Sequence, residues 1–365
     1  MNRLFNGIYK NKKVLITGHT GFKGSWLAYW LSSMGAEVYG YSLASETTPN
    51  HFGLINCPVK SFINDLTDLD SLIAVFEKNK PEIVFHLAAQ PLVRRSYRDP
   101  VQTFGSNIMG TAHLLEAARR TSSVKAVVVI TTDKVYTNNE WEWGYRENDR
   151  LGGYDPYSSS KACAEIVVDS YRNSFFNTKE YGKSHHILVA SARAGNVIGG
   201  GDWSEDRLLP DIIKSGVTNT TVVIRNPDSI RPWQHVLDCL SGYLVLGHKL
   251  LEGDPLASTA FNFGPADSDT LTVKMIVEKI KVHWPDFEYT IDTDSSKVHE
   301  ANYLKLDCSK AQTQLKWLPV WNTDTAIDKT VNWYRDFYHN NTINTGRDLD
   351  SYIDEAVKAG VIWTR

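Results

Sequence analysis

Cysteine is scarce in this sequence: Cys57, Cys163, Cys239 and Cys308 are the only four in 365 residues. They lie far apart, with no CxxC and no histidine cluster nearby. That spacing excludes a disulfide framework and a zinc site, so no metal is expected, and it fits a reducing compartment. Long apolar runs are also missing, and none approaches the ~20 residues that cross a bilayer. The opening MNRLFNGIYKNKK carries charge but no apolar stretch, so it does not read as a secretory signal; a cytoplasmic protein with no membrane partner is expected. Charge of one sign is lacking too. Lys and Arg number 39 against 42 Asp and Glu, a formal net charge of −3, which leaves no footprint for nucleic acid. Any anionic ligand must therefore be held by local groups. Internal repeats and low-complexity segments are absent.

What is present is ordinary globular material, 42% hydrophobic and 22% charged. Its length predicts two domains, or one large α/β domain with an appended lobe. Strands are predicted at KVLIT (13–17), EVYGYSL (37–43), SFIND (61–65), EIVFHLAA (82–89), AVVVITT (126–132) and HILVASAR (186–193). Between them, 25–35, 69–80, 104–120 and 156–175 read as helices. Ser25 is expected to cap the first of these, with Gly35 at its end. This alternation predicts an α/β fold: a doubly wound, Rossmann-type parallel sheet with a smaller C-terminal substrate lobe. The expected division is 1–193 plus about 233–263 for the dinucleotide-binding domain, and 194–232 with 264–365 for the lobe.

Three places carry chemistry. Gly18, Gly21 and Gly24 lie between the first strand and the first helix. Glycines there let backbone N–H groups approach a pyrophosphate at a helix N-terminus, although the spacing is GxxGxxG and a plain turn is the competing reading. The second strand ends Tyr41-Ser42, without the acid that reads ribose hydroxyls and without an arginine for a 2′-phosphate; NAD is favoured over NADP by default. Asp65 is a candidate for the adenine amino group, or equally a turn or cap residue. Tyr157 and Lys161, four apart on a predicted helix, share a face. A lysine beside a phenol is expected to lower its pKa towards neutrality, which would suit proton transfer coupled to hydride loss. Finally, VVVITTDKVY (127–136) ends a buried strand in an acid and a base side by side, Asp133 and Lys134: a surface turn or a working pair.

TGHTGFKG, HLAAQP, TTDKVY and PYSSSK, in this order and these contexts, resemble the extended short-chain dehydrogenase/reductases. The resemblance continues through RAGNVIGGGDW, RPWQHVLD, FNFGP and DCSKAQTQLKWLP, nearly the whole chain. Within that family the sequence is similar to the nucleotide-sugar 4,6-dehydratases, and GFKGSWLAYWL with LGGYDPYSSSK to the branch acting on CDP-D-glucose. The resemblance implies NAD as cofactor, held by Gly18, Gly21, Phe22, Gly24, Ser42, Asp65, Leu66, Ala88 and Thr131, with Tyr157 and Lys161. It implies Thr132, Tyr157 and Lys161 as catalytic residues. Asn107, Asn196, Arg207 and Arg231 would serve the nucleotide sugar, Asn107 in support and the others at the diphosphate, with an ordinary ion pair as the other reading of Arg231. It further implies a homodimer or homotetramer pairing through 104–120 and 156–175, and a place in dideoxyhexose synthesis for a surface polysaccharide.

Dehydration explains the acid–base pair. Oxidation at C4 acidifies the C5 proton; a base removes it while an acid protonates the departing C6 hydroxyl; the hydride then returns to C6. Asp133 is assigned as the acid and Lys134 as the C5 base. Most of these dehydratases carry Asp-Glu here. A lysine base must be neutral, roughly 3 units below its reference value near 10.4, so electrostatic stabilisation of the enolate is the alternative for Lys134. An epimerase or simple dehydrogenase would need Thr132, Tyr157 and Lys161 but not this pair, and a non-catalytic sensor would need neither. Trp141 and Trp143, stacking on the ligand or packing their own loop, Glu147 and Asn148 in the same loop, and His86, read as structural, complete the candidates.

Overall fold

The computed structural model describes residues 1, 3–266, 271–285, 287–292 and 303–365. Six strands follow the predicted order: β1 (Lys13–Thr17), β2 (Glu37–Ser42), β3 (Lys60–Ile63), β4 (Ile83–His86), β5 (Ala126–Ile130) and β6 (Leu188–Ala194). A seventh, Ala260–Phe263, pairs with β6 at the edge. Every pairing is parallel, in the order β3-β2-β1-β4-β5-β6 followed by Ala260–Phe263. This is the doubly wound α/β sheet that the alternation predicts.

Side-chain alternation along each strand feeds two cores. Val14, Ile16, Phe85, Val128 and Ala190 face one of them; Leu15, Val84, Val127, Val129 and Val189 face the other. The first core is covered by the helices Phe22–Ser33 and Val236–Leu251. The second is covered by Leu69–Asn79, Gly110–Arg120 and Pro156–Ser174. Burial on both faces accounts for the unbroken apolar run of β5, since each fully buried valine contributes roughly 1.5–3 kcal/mol.

The sheet reverses its winding between β1 and β4, where Thr17 lies opposite His86. Chains leaving these two strand ends depart to opposite faces, which opens a crevice at their C-terminal ends. The C-terminal helix Thr345–Ala359 and the tail beyond it return to the first core: Trp30 packs edge-on against Tyr352 and Trp363. Among the described residues, no helix is long and apolar enough to cross a membrane.

Two local expectations are corrected. The first helix begins at Phe22 with Gly21 as its N-cap, so Ser25 sits inside it and turns its hydroxyl to Phe22 O and His51 Nδ1 instead of capping. The helix expected over 104–120 is interrupted by a π turn, Gly105–Met109. Gly35 does end the first helix region, at φ +82°.

Candidate active site

The glycine turn shapes the first of two cavities. Gly18 sits at φ +77°, and a Cβ there would come within 2.7 Å of Ala88 N, so β1 and β4 close on each other only through glycine. A Cβ on Gly24 would fall 2.0 Å from Gly18 O; the helix can start this near the turn only without one. The first N–H groups of the Phe22–Ser33 helix, which have no intrahelical partner, open onto a cavity of about 550 Å³. Gly18, Gly21, Phe22, Gly24, Ser42, Asp65, Leu66 and Ala88 line it. A pyrophosphate at these N–H groups, in a cradle that side chains would fill, fits a dinucleotide. Asp65 lines the cavity, and its Oδ1 accepts from Thr67 N in a turn.

A second cavity, about 310 Å³, abuts the first along Phe22, Lys23 and Arg207. Thr131, Thr132, Asp133, Lys134, Tyr157, Asn196, Arg207 and Arg231 line it. Local structure delivers these groups. The strand β5 ends, and Thr132 caps a 3-10 turn, Asp133–Val135. Asp155 caps the next helix by accepting from Ser158 N, and Pro156 occupies its first turn, so Tyr157 projects from the helix start. Arg207 donates to Asp202 Oδ2 at 2.7 Å, and Arg231 is buried in the opposite wall.

Asp133 is the most constrained of them. It is 2% exposed. Its Oδ1 accepts from Thr132 Oγ1 at 2.8 Å, while its buried Oδ2 has no hydrogen-bond partner. A Cβ on Gly195 would lie 2.9 Å from that oxygen and 2.3 Å from Pro232, so the RAGNV and RPWQH segments roof the carboxyl and keep water off it. Burial pushes its pKa above the ordinary 3.8, against the pull of Lys134, Thr132, Arg231 and Lys23. Burial thus biases the carboxyl towards holding its proton, the direction a general acid needs.

Tyr157 and Lys161 depart from expectation. Burial pushes the phenol up to about 12, with the Thr132 hydroxyl and Arg207 opposing. Lys161 is not among the groups that pull the phenol down, and its Nζ donates to Ile130 O at 3.0 Å. Burial lowers Lys161 to about 8, helped by the nearby Lys23. Behind them lies a buried network that the sequence reading missed. Glu165, four residues after Lys161 on the same helix, accepts from Thr131 Oγ1, Ser191 Oγ and both arms of the Arg193 guanidinium. It fastens the end of β5 to β6. Its spacing from Lys161 was the available signal.

The family model described as GDP-mannose 4,6 dehydratase matches residues 15–330. The chain belongs to this dehydratase family. Its extended short-chain dehydrogenase/reductase character is as the motifs imply. A relative from Salmonella typhimurium, named CDP-glucose 4,6-dehydratase, is 52% identical over 90% of this chain and 91% of its own length. The fold is shared with a dTDP-glucose 4,6-dehydratase from Streptomyces venezuelae solved with NAD bound. That similarity has a TM-score of 0.74 at 21% identity, covering 89% of this chain and 97% of the other. A UDP-glucose 4-epimerase from Thermotoga maritima has a TM-score of 0.75 at 21% identity, covering 90% and 100%.

Some candidates of this dehydratase chain are not brought to the cavities. Asn107, grouped with the substrate residues, is 1% exposed and fully engaged: Oδ1 accepts from Gln90 N, and Nδ2 donates to Gln90 O and Ser160 Oγ. It clamps the loop after β4 to the Tyr157 helix instead of facing substrate. Trp141 packs on Tyr145 and Trp143, and Glu147 accepts from Asn262 N; none of the three lines either cavity. His86 is structural, with Nδ1 at 2.7 Å from Thr17 Oγ1 and Nε2 at 3.2 Å from Thr111 Oγ1. Lys23, not among the sequence candidates, lines both cavities and reaches Tyr243 Oη at 3.3 Å.

Proposed function

We propose that this dehydratase converts CDP-D-glucose to CDP-4-keto-6-deoxy-D-glucose with loss of water. The observation that carries the reading is Asp133 Oδ2: a buried, unpartnered carboxyl oxygen in the cavity that also holds Thr132, Tyr157 and Lys134. Oxidation alone has no use for such a group, whereas expulsion of a hydroxyl needs a proton donor. The choice of cytidine is supported by the 52% identical relative of that name.

When bound in the larger cavity, NAD would supply a hydride acceptor for C4 and a hydride donor for C6. Gly18, Gly21 and Gly24 would hold it, with Phe22, Ser42, Asp65, Leu66 and Ala88 around it and Thr131 on the wall of the adjoining cavity. Tyr157 takes the proton of the C4 hydroxyl as the phenolate, which Thr132 and Arg207 favour against burial, with Thr132 hydrogen-bonding the same oxygen and Lys161 holding positive charge behind it. Lys134 removes the C5 proton, and Asp133 gives its proton to the departing C6 oxygen. Asn196, Arg207 and Arg231 hold the diphosphate. The nucleotide-sugar lobe comprises 194–232 and 264–365 on a body of 1–193 plus about 233–263. Pairing of Ala260–Phe263 with β6 supports that body, and the C-terminal tail packs onto it. The protein is cytoplasmic and acts as a homodimer or homotetramer. Pairing through the helices that carry Met109 and Ile166 is supported by the exposure of these two apolar side chains and of Val101 and Phe104.

The test is incubation with CDP-glucose and trace NAD. Keto product without accumulating NADH supports the full cycle; NADH rising in step with product identifies a dehydrogenase. Turnover only with another nucleotide's glucose keeps the mechanism and overturns the base. For Lys134, the Lys134→Met variant is expected to lose solvent exchange at C5 of the 4-keto intermediate; retained exchange leaves it the electrostatic role.

A further inference from the structure

The strand β2 ends without an acid, yet the cofactor cavity has one nearby. Its wall beyond β2 runs through Ser42, Leu43, Ala44, Ser45, Glu46 and Thr47. Arg95, 49 residues further on, enters the same cavity from the short helix Val93–Arg98, and its Nη1 donates to Glu46 Oε2 at 2.5 Å. The lysine and arginine side chains lining the cavity are Lys23, Arg95 and Arg207. Lys23 and Arg207 also line the substrate cavity, which places them at the far end. Arg95 is the one cation at the β2 end of the described cavity, and Glu46 holds it.

We propose that the Glu46–Arg95 pair selects NAD over NADP, with Glu46 in the part usually played by an acid at the strand's end. This rests on the reading that the larger cavity holds the dinucleotide. A phosphate on the adenosine ribose needs a cation there. The one within reach is already neutralised, and the carboxylate that neutralises it repels a second anion. The Glu46 side chain is 60% exposed and that of Arg95 28%, so the discrimination is screened by salt and moderate in size.

The test is calorimetric titration of NAD and NADP into the wild-type protein, Glu46→Gln, and Glu46→Gln/Arg95→Ala. Both positions are at the surface, and melting curves check that the variants fold. Glu46→Gln is expected to shift the Kd ratio towards NADP by about tenfold at low salt and by less at high salt. The double variant, which lacks the cation as well as the repelling carboxylate, is expected to give back most of that shift. An unchanged ratio in Glu46→Gln, or a shift that loss of Arg95 leaves undiminished, overturns the proposal and leaves the pair an ordinary surface contact. Wild-type protein that binds neither dinucleotide overturns the cofactor reading itself, a separate failure.

Discussion

Replacing Asp133 by Asn tests the assignment of the acid. Asn keeps the size and the hydrogen bond to Thr132 but has no proton to give. A positioned general acid contributes about 10²–10⁴-fold, or about 2.7–5.4 kcal/mol of barrier. Burial argues for the upper part of that range. At 2% exposure under Gly195 and Pro232, the site admits no water to stand in as donor. Product formation should therefore fall about 10³–10⁴-fold. Oxidation at C4 uses Tyr157 and Thr132 and should be largely spared. A single turnover of Asp133→Asn with CDP-glucose is then expected to stall after oxidation, with NADH accumulating that the wild type never shows. Product within tenfold of wild type would refute the role. So would an equal loss of both half-reactions, which would make Asp133 a support for oxidation.

The same substitution has a signature in stability that does not depend on turnover. A carboxyl whose folded pKa lies above its unfolded value binds more protons folded than unfolded. Its contribution therefore falls as pH rises from the ordinary 3.8 through the raised folded value, and is flat above it. Asn does not titrate. Relative to wild type the variant should gain stability from about pH 4 up to the raised folded pKa and hold a constant difference above it; a difference that moves against the variant as pH rises would mean that Asp133 is ionised and stabilised in the fold.

Lys161, lowered from 10.5 to about 8, binds fewer protons folded than unfolded between those values. Wild-type stability should rise with pH across that window, and Lys161→Met should be more stable at neutrality by roughly 3 kcal/mol, less about 1 kcal/mol for the Ile130 carbonyl left unpaired; urea melts at the two ends of the window check the sign. Gly24→Ala, whose Cβ would meet Gly18 O at 2.0 Å, should cost at least about 1–3 kcal/mol and abolish NAD binding. Gly21→Ala, with its nearest contact at 3.4 Å, should fold normally by thermal melting. Glu165→Gln leaves Arg193 charged and buried without its partner and should destabilise by about 3–5 kcal/mol in chemical denaturation.

Local chemistry was readable and distant pairing was not. Glycines between a strand and a helix act through near neighbours along the chain, and the structure places them as their spacing requires; Lys161 shares the Tyr157 helix but turns its Nζ to Ile130 O. The π turn at Gly105–Met109 was not legible in the residues GSNIM, yet it lies where Asn107 meets Gln90. Arg95 and Glu46 meet across 49 residues, and Glu165 and Arg193 across 28. Nothing local in either segment announces its partner; the parallel sheet brings them together.

The acid–base pair shows the same division within two residues. Adjacency in sequence suggested an ion pair, which would hold Asp133 ionised and Lys134 charged, the wrong states for both. A 3-10 turn prevents that outcome. At three residues per turn, neighbouring side chains point about 120° apart. Asp133 is carried under the roof of Gly195 and Pro232, while Lys134 stays partly exposed on the cavity wall. The carboxyl spends Oδ1 on Thr132 and leaves Oδ2 without a hydrogen bond, so the ammonium is not its partner. Burial then favours the protonated acid more than the nearby lysine favours its anion. The sequence names the two groups; the turn separates them, and burial makes the acid hold its proton more tightly than an exposed aspartate does.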